Sequence, residues 1–167
     1  MELGQPKITL FEILIVVAIV GIVGVLAVFA VNAARSKERD ATRITNVRQI
    51  QSALEDYFNE SNKYPVGDAL PLGDSALSAC LGVSGFAGDC SADKSVIIRT
   101  VPRMFEDGLN GVVTCGNPKR NAFCYSQIGN GDVYGIQFEL ENSLPTAGLR
   151  AGINCASPGK MVAGSCQ

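Results

Sequence analysis

From Ile13 to Ala34 the chain runs about 22 residues without a charge, long enough as an α-helix to cross the ~30 Å hydrocarbon core of a bilayer. A helix that is apolar on every side needs a protein core, a membrane or a bundle of like helices around it. The chain has 167 residues, a length that predicts one domain or one modest domain with an appendage. The run accounts for much of the 47% hydrophobic content, and the remainder has the composition of an ordinary soluble domain.

Past the run comes the charged stretch Arg35-Ser36-Lys37-Glu38-Arg39-Asp40, and no Gly or Pro follows until Pro65. Within it Ala41, Ile44, Val47, Ile50, Leu54 and Phe58 recur at steps of three and four, the period of a helix with one buried stripe. The apolar and amphipathic segments therefore read as one helix from about Thr9 to Asn59, on the order of 75 Å long at 1.5 Å per residue. It is expected to stop at Ser61-Asn62-Lys63-Tyr64-Pro65, because Pro65 disfavours helical geometry at Tyr64.

From Val66 onward turn residues separate short apolar stretches. Val96-Ile97-Ile98, Val112-Val113 and Phe123-Cys124-Tyr125 are candidate strands, and Val133 to Glu141 is the clearest one. There Ile136, Phe138 and Leu140 alternate with Gln137, Glu139 and Glu141, which predicts a half-buried strand with its carboxylates outward. Gly129-Asn130-Gly131-Asp132 precedes it as a turn, so residues around 122–140 read as a hairpin.

All 6 cysteines, Cys80, Cys90, Cys115, Cys124, Cys155 and Cys166, lie in this region. An even number in a small loop-rich domain behind a membrane segment predicts disulfides and an oxidising compartment. Many pairings are formally open, and the spacing favours three local bridges: Cys80–Cys90, Cys115–Cys124 and Cys155–Cys166. No two of them stand in C-x-x-C spacing, so a metal site is not expected.

The chain has no His and a formal net charge of -2. Lacking His, it cannot build a Ser-His-Asp or Cys-His catalytic site or a His-ligated zinc. Lacking a positive field, it is no dedicated nucleic-acid binder. Glu106-Asp107, Asp89 with Asp93, and Glu139 with Glu141 are read as surface carboxylates, and Lys119-Arg120 is too small a basic patch to hold DNA. No enzymatic activity and no cofactor is expected.

Glu12 stands at the edge of the apolar run, in Ile8-Thr9-Leu10-Phe11-Glu12-Ile13. A carboxylate within hydrocarbon costs ~2.5–3.5 kcal/mol at mid-bilayer and less near the interface, so it calls for a partner. A cation from a neighbouring subunit would supply one; snorkelling to the headgroups or pairing with Lys7 of the same chain are the alternatives.

Ile8 to Gly24 resembles the N-terminal signature of type IV pilins and pseudopilins, a phenylalanine-threonine-leucine-isoleucine-glutamate start followed by an apolar run with a glycine placed like Gly21. Lys63-Tyr64-Pro65 also resembles the end of the long pilin helix. The resemblance covers about 65 residues. It implies an α+β, pilin-like fold: a long N-terminal helix, half membrane-spanning and half amphipathic, packed on a small antiparallel sheet head with disulfide-closed loops. It further implies removal of a leader by a prepilin peptidase, N-methylation of the new first residue, and assembly by an ATPase and an inner-membrane platform into a helical homo-oligomeric filament. Carried onto this chain, Ile8 is the first mature residue, Glu12 pairs with the free amine of an adjacent subunit, and Gly21 and Gly24 lie in the bundled helices. The expected organisation is a leader over 1–7, a membrane or filament-core helix over 8–34, its amphipathic continuation over 35–60, and an extracellular head over 61–167.

Two departures from the family pattern stand out. Lys7 precedes Ile8 where the family has Gly; the nearest is Gly4, so a cut before Gln5 is the alternative. The family's proline in the membrane helix, near Phe29, is also missing. Ala18, Gly21, Gly24, Ala27, Ala30 and Ala33 form a row of small residues that lets helices approach closely.

Arg35, Lys37, Arg39, Arg43 and Arg48 follow the run, which by the positive-inside rule alone would keep the head in the cytoplasm. The cysteines and the signature point outside, and Glu38 and Asp40 interleave with the basic residues as salt-bridge lacing on a solvated or inter-subunit face. The expected function is a structural subunit of a cell-surface filament, made from a single-pass membrane precursor, for adhesion, motility, DNA uptake or secretion. A minor pilin or pseudopilin of a secretion or competence machine is the first alternative. The second is a soluble domain released by signal-peptide cleavage after Ala30 or Ala33.

Overall fold

The computed structural model describes residues 9–166, and the chain divides into two units between Arg35 and Ser36. One helix, α1, runs Leu10–Ser61, so the apolar run and the amphipathic segment belong to a single element. It ends on Asn62, whose φ of 54° is left-handed and whose amide donates to the Phe58 carbonyl at 2.7 Å. A left-handed Asn is a known helix stop. Tyr64 and Pro65, past the helix end, are both buried.

Among the described residues ten strands follow: β1 Leu70–Pro71, β2 Cys80–Gly82, β3 Gly85–Ala87, β4 Val96–Ile98, β5 Thr114–Cys115, β6 Arg120–Asn121, β7 Cys124–Ile128, β8 Val133–Leu140, β9 Gly152–Ser157 and β10 Lys160–Ala163. They form a five-stranded sheet in the order β1-β7-β8-β9-β10, a three-stranded sheet β3-β2-β4 and the pair β5-β6. Every pairing is antiparallel. The chain is thus α+β, a long N-terminal helix with antiparallel sheets and three disulfides.

The expected hairpin is β7–β8, with Tyr125 opposite Ile136. Its turn uses Gly131 at φ 99°, a conformation L side chains rarely adopt, and the Gly131 carbonyl accepts the Tyr64 amide at 2.8 Å. The strand expected at Val112-Val113 is instead Thr114–Cys115, and Phe123 lies outside β7. The 112–113 segment lies outside any strand and is spent on a different task, described below.

Within the unit Ser36–Gln167, the helix contributes Val47, Ile50, Ala53 and Leu54 to the core, facing Tyr134, Ile136, Phe138 and Leu140 of β8, with Tyr125 and Phe123 beside them. Of the expected stripe, Ile44 and Phe58 pack at the margin and Ala41 is exposed. In its place Asp40 and Arg43 are buried.

Disulfides join Cys80 to Cys90, Cys115 to Cys124 and Cys155 to Cys166, the three local bridges favoured by the spacing. The last one folds the C-terminal segment against β8: a side chain at Gly135 would meet the Cys166 sulfur at 2.8 Å, so only glycine leaves room for the bridge.

Candidate assembly helix

Thr9 opens α1 as its N-cap. Its hydroxyl accepts the Glu12 amide at 3.3 Å, and its carbonyl accepts the amides of Glu12 at 3.1 Å and Ile13 at 3.3 Å. Glu12 therefore occupies the third helical position, and Thr9-Leu10-Phe11-Glu12 has the form of a capping box. A carboxylate in the first turn also faces the positive end of the helix dipole. This local role was readable as Thr-x-x-Glu before an apolar run, and sequence reasoning from burial cost alone missed it.

Beyond the cap the helix carries its apolar side chains on every side. Large residues from Leu10 to Val31 are all exposed, from 41% at Ile15 to 82% at Leu10. The helix is long and apolar enough to cross a membrane, which suits a membrane anchor or a signal sequence. Gly21 and Gly24 face open space, with nothing within 4 Å of where a side chain would start, so both offer bare backbone to an incoming helix. Gly4, Gln5, Lys7 and Ile8, where processing is expected, lie outside the described residues.

Arg35, Lys37, Glu38 and Arg48 are exposed, as a solvated face requires, and Asp40 laces Arg43, but Arg39 and Arg43 turn toward the head instead. Arg39 donates from Nε and Nη2 to the two Glu141 oxygens at 2.7 and 2.6 Å. Arg43, fully buried, reaches Asp40 Oδ1 at 2.9 Å and Glu141 Oε1 at 2.7 Å, and donates to the carbonyls of Phe105 and Asp107. Asp40 in turn accepts the amides of Glu141 and Asn142 and the Asn142 carboxamide at 2.8–2.9 Å. The hydrogen bond from Arg39 is the largest cause holding the Glu141 carboxyl below its ordinary range, with Arg43 adding to it against the opposing effect of burial. Two arginines against two carboxylates leave the cluster balanced, which is the condition for burying it.

Glu139 and Glu141 are accordingly not the outward carboxylates the alternation predicts. Glu139 is wholly buried, because the loop before β5 covers that side of β8 and donates the amides of Asn110 at 2.7 Å and Val112 at 2.9 Å to it. That is the task that replaces a strand at 112–113. Of the other polar residues singled out, Asp89 binds Ser91, Asp93 accepts from Ser84, and Arg120 pairs with Asp74 at 2.5 Å. Among the described residues no three Cys, Asp or Glu side chains are placed to hold a metal ion.

Comparison with family descriptions, with curated proteins and with solved structures finds no match for this chain.

Proposed function

We propose that this chain is the structural subunit of a type IV pilus-like filament, held in the membrane by α1 before assembly and bundled through the same helix afterwards. The observation that carries this reading is the apolar part of α1: exposed all round, opened by a carboxylate in its first turn and bare at Gly21 and Gly24. Such a surface needs lipid or like helices around it. Within that low-dielectric bundle Glu12 would seek a neighbouring subunit's N-terminal amine, a charge pair whose desolvation only a partner of opposite sign offsets. The three disulfides suit a head exposed to an oxidising exterior. Prepilin peptidase, assembly ATPase and membrane platform are the partners this reading requires, and no catalytic role is assigned to the chain itself.

The test is intact mass under non-reducing conditions and N-terminal sequencing of the protein from its source cells, with sheared surface filaments as the second fraction. A chain starting at Ile8 or Gln5, N-methylated, oxidised at all six cysteines and recovered in long filaments is the expected result. Recovery only in trace amounts within a secretion machine would shift the reading to a minor pilin. A start after Ala30 or Ala33 would mean a freely secreted domain and end the filament reading.

A further inference from the structure

The head carries an apolar knob and, on the other flank of α1, a groove of matching chemistry. The knob is Phe105, 55% exposed in a loop whose backbone is fixed. Arg43 donates from Nε and Nη2 to the Phe105 carbonyl at 3.1 and 2.8 Å and to the Asp107 carbonyl at 2.6 Å, while Glu139 takes the amides of Asn110 and Val112. A buried arginine and a buried glutamate thus hold an exposed phenylalanine and the acidic pair Glu106-Asp107 in one place. An anchor ordered before it meets its partner loses little entropy on binding.

The groove, of about 430 Å³, lies between α1 and the β9–β10 turn; Ile44, Leu149 and Met161 supply its apolar surface and Arg48 and Lys160 its charge. Gln51 pins that turn by donating to the Ser157 carbonyl at 2.8 Å. Glu55, also at the groove, already accepts from the Tyr64 hydroxyl at 3.1 Å. Among the described residues Arg48, Lys160 and Glu106 form no ion pair. Arg43, which holds the knob, and Arg48 are five residues apart, about 140° around the helix, so they project from different flanks.

We propose that the Phe105 knob of one copy seats in the Arg48–Lys160 groove of a second copy, with Glu106 facing the basic rim. The occupant is argued from charge: an acidic apolar loop and a basic apolar groove on the same chain, placed so that neither reaches the other within one molecule. Two different patches on different flanks make a head-to-tail contact, which cannot close as a two-fold dimer and propagates as an open helix wherever its rotation does not close a ring. The proposal rests on the filament reading and adds the head surface that sets how neighbouring subunits are rotated.

The test is made in the source cells on the full chain. Glu106→Arg, Phe105→Ala, the pair Arg48→Glu with Lys160→Glu, and the triple charge exchange are compared for sheared filament yield. Asp107 is left in place because its charge also acts on Arg39. Phe105→Ala and each charge reversal are expected to lower the yield at least about tenfold, as loss of a central anchor does, and the triple exchange to restore about half of it, as coupled positions should. Membrane-held subunit with all three disulfides formed shows that each variant folds. A benzoylphenylalanine placed at 105 is expected to cross-link, in wild-type-like filaments, to the 44–55 or 147–161 segment of a neighbour. Folded variants with undiminished filaments, a triple exchange no better than its parents, or cross-links elsewhere would each overturn the interface and leave the filament reading standing. A wild-type chain that makes no filament would overturn that reading instead.

Discussion

Arg43 Nη1 and Glu141 Oε1 lie 2.7 Å apart across 98 residues of sequence, and through that bond the buried face of α1 is tied to the end of β8. Arg43 also holds Asp40 and two loop carbonyls, so one guanidinium fixes three chain segments. Replacing Arg43 by Ala leaves the buried Asp40 without its cation, while Glu141 keeps only Arg39. A buried pair broken on one side loses about 3–5 kcal/mol. The expected outcome is a head that unfolds at clearly lower denaturant, and an Arg43→Ala midpoint equal to wild type would show that the cluster contributes nothing. Arg43→Lys, which keeps the charge but not the planar fork, is expected to fall between the two.

The same cluster gives the head an acid limit. Glu141 is held below its ordinary range, first by its hydrogen bond from Arg39, so the folded state binds its proton less readily than the unfolded chain. Stability from this group is fully present above the ordinary carboxylate pKa and is lost as pH falls through the lowered folded value. Thermal unfolding followed from neutral pH down through the carboxylate range is expected to show a falling midpoint. Glu141→Gln, less stable at neutral pH, should show a flatter decline, and parallel curves for the two proteins would remove Glu141 as the cause.

At the alkaline end three tyrosines set the limit. Tyr64 packs on Phe58 and Tyr134 at centroid distances of 4.7 and 4.6 Å, and burial together with the hydrogen bond to Glu55 pushes it up to about 12 from 10.0. Burial likewise raises Tyr125, whose hydroxyl donates to the Pro65 carbonyl at 2.5 Å, and Tyr134. A raised folded pKa stabilises below the unfolded value of about 10 and loses that contribution as pH rises beyond it. Tyrosinate absorbance is therefore expected to show these three rings silent near pH 10 and released together with the loss of near-ultraviolet dichroism above it. Ionisation of all the tyrosines in one step near pH 10, with the dichroism intact, would contradict the packing.

What could be read from the sequence was local. The 3.6-residue period of Val47, Ile50 and Leu54, the Pro65 stop, the alternation of Ile136, Phe138 and Leu140, and cysteines about ten residues apart each show their pattern within a few turns of chain. Arg43 and Glu139 encode theirs in a loop that only the tertiary fold brings near. On sequence each is a polar residue beside an apolar stripe, for which exposure is the reasonable default; ion-pair and amide partners reversed it. Ala41 is exposed for the complementary reason, since the buried position one residue earlier is filled by Asp40. The Thr9 cap is the exception, a local signal contained entirely in Thr9-Leu10-Phe11-Glu12 that a reading of burial cost does not capture.

That cap separates two roles for Glu12 that alanine alone would confuse. Glu12→Ala removes both the capping-box carboxylate and any charge offered to a neighbour. Glu12→Gln keeps a capping box, since Gln serves that position as Glu does, but cannot form an ion pair with an amine. Thr9→Val does the reverse: it loses a cap contribution of about 1 kcal/mol and leaves the carboxylate. If Glu12 acts between subunits, Glu12→Gln should abolish filaments as completely as Glu12→Ala, while Thr9→Val only thins them. The head carries its own core and three disulfides well away in sequence from these positions, so its melting temperature should be the same in all three. Filament counts by electron microscopy decide the matter, because wild-type numbers from Glu12→Gln would reduce Glu12 to a helix cap.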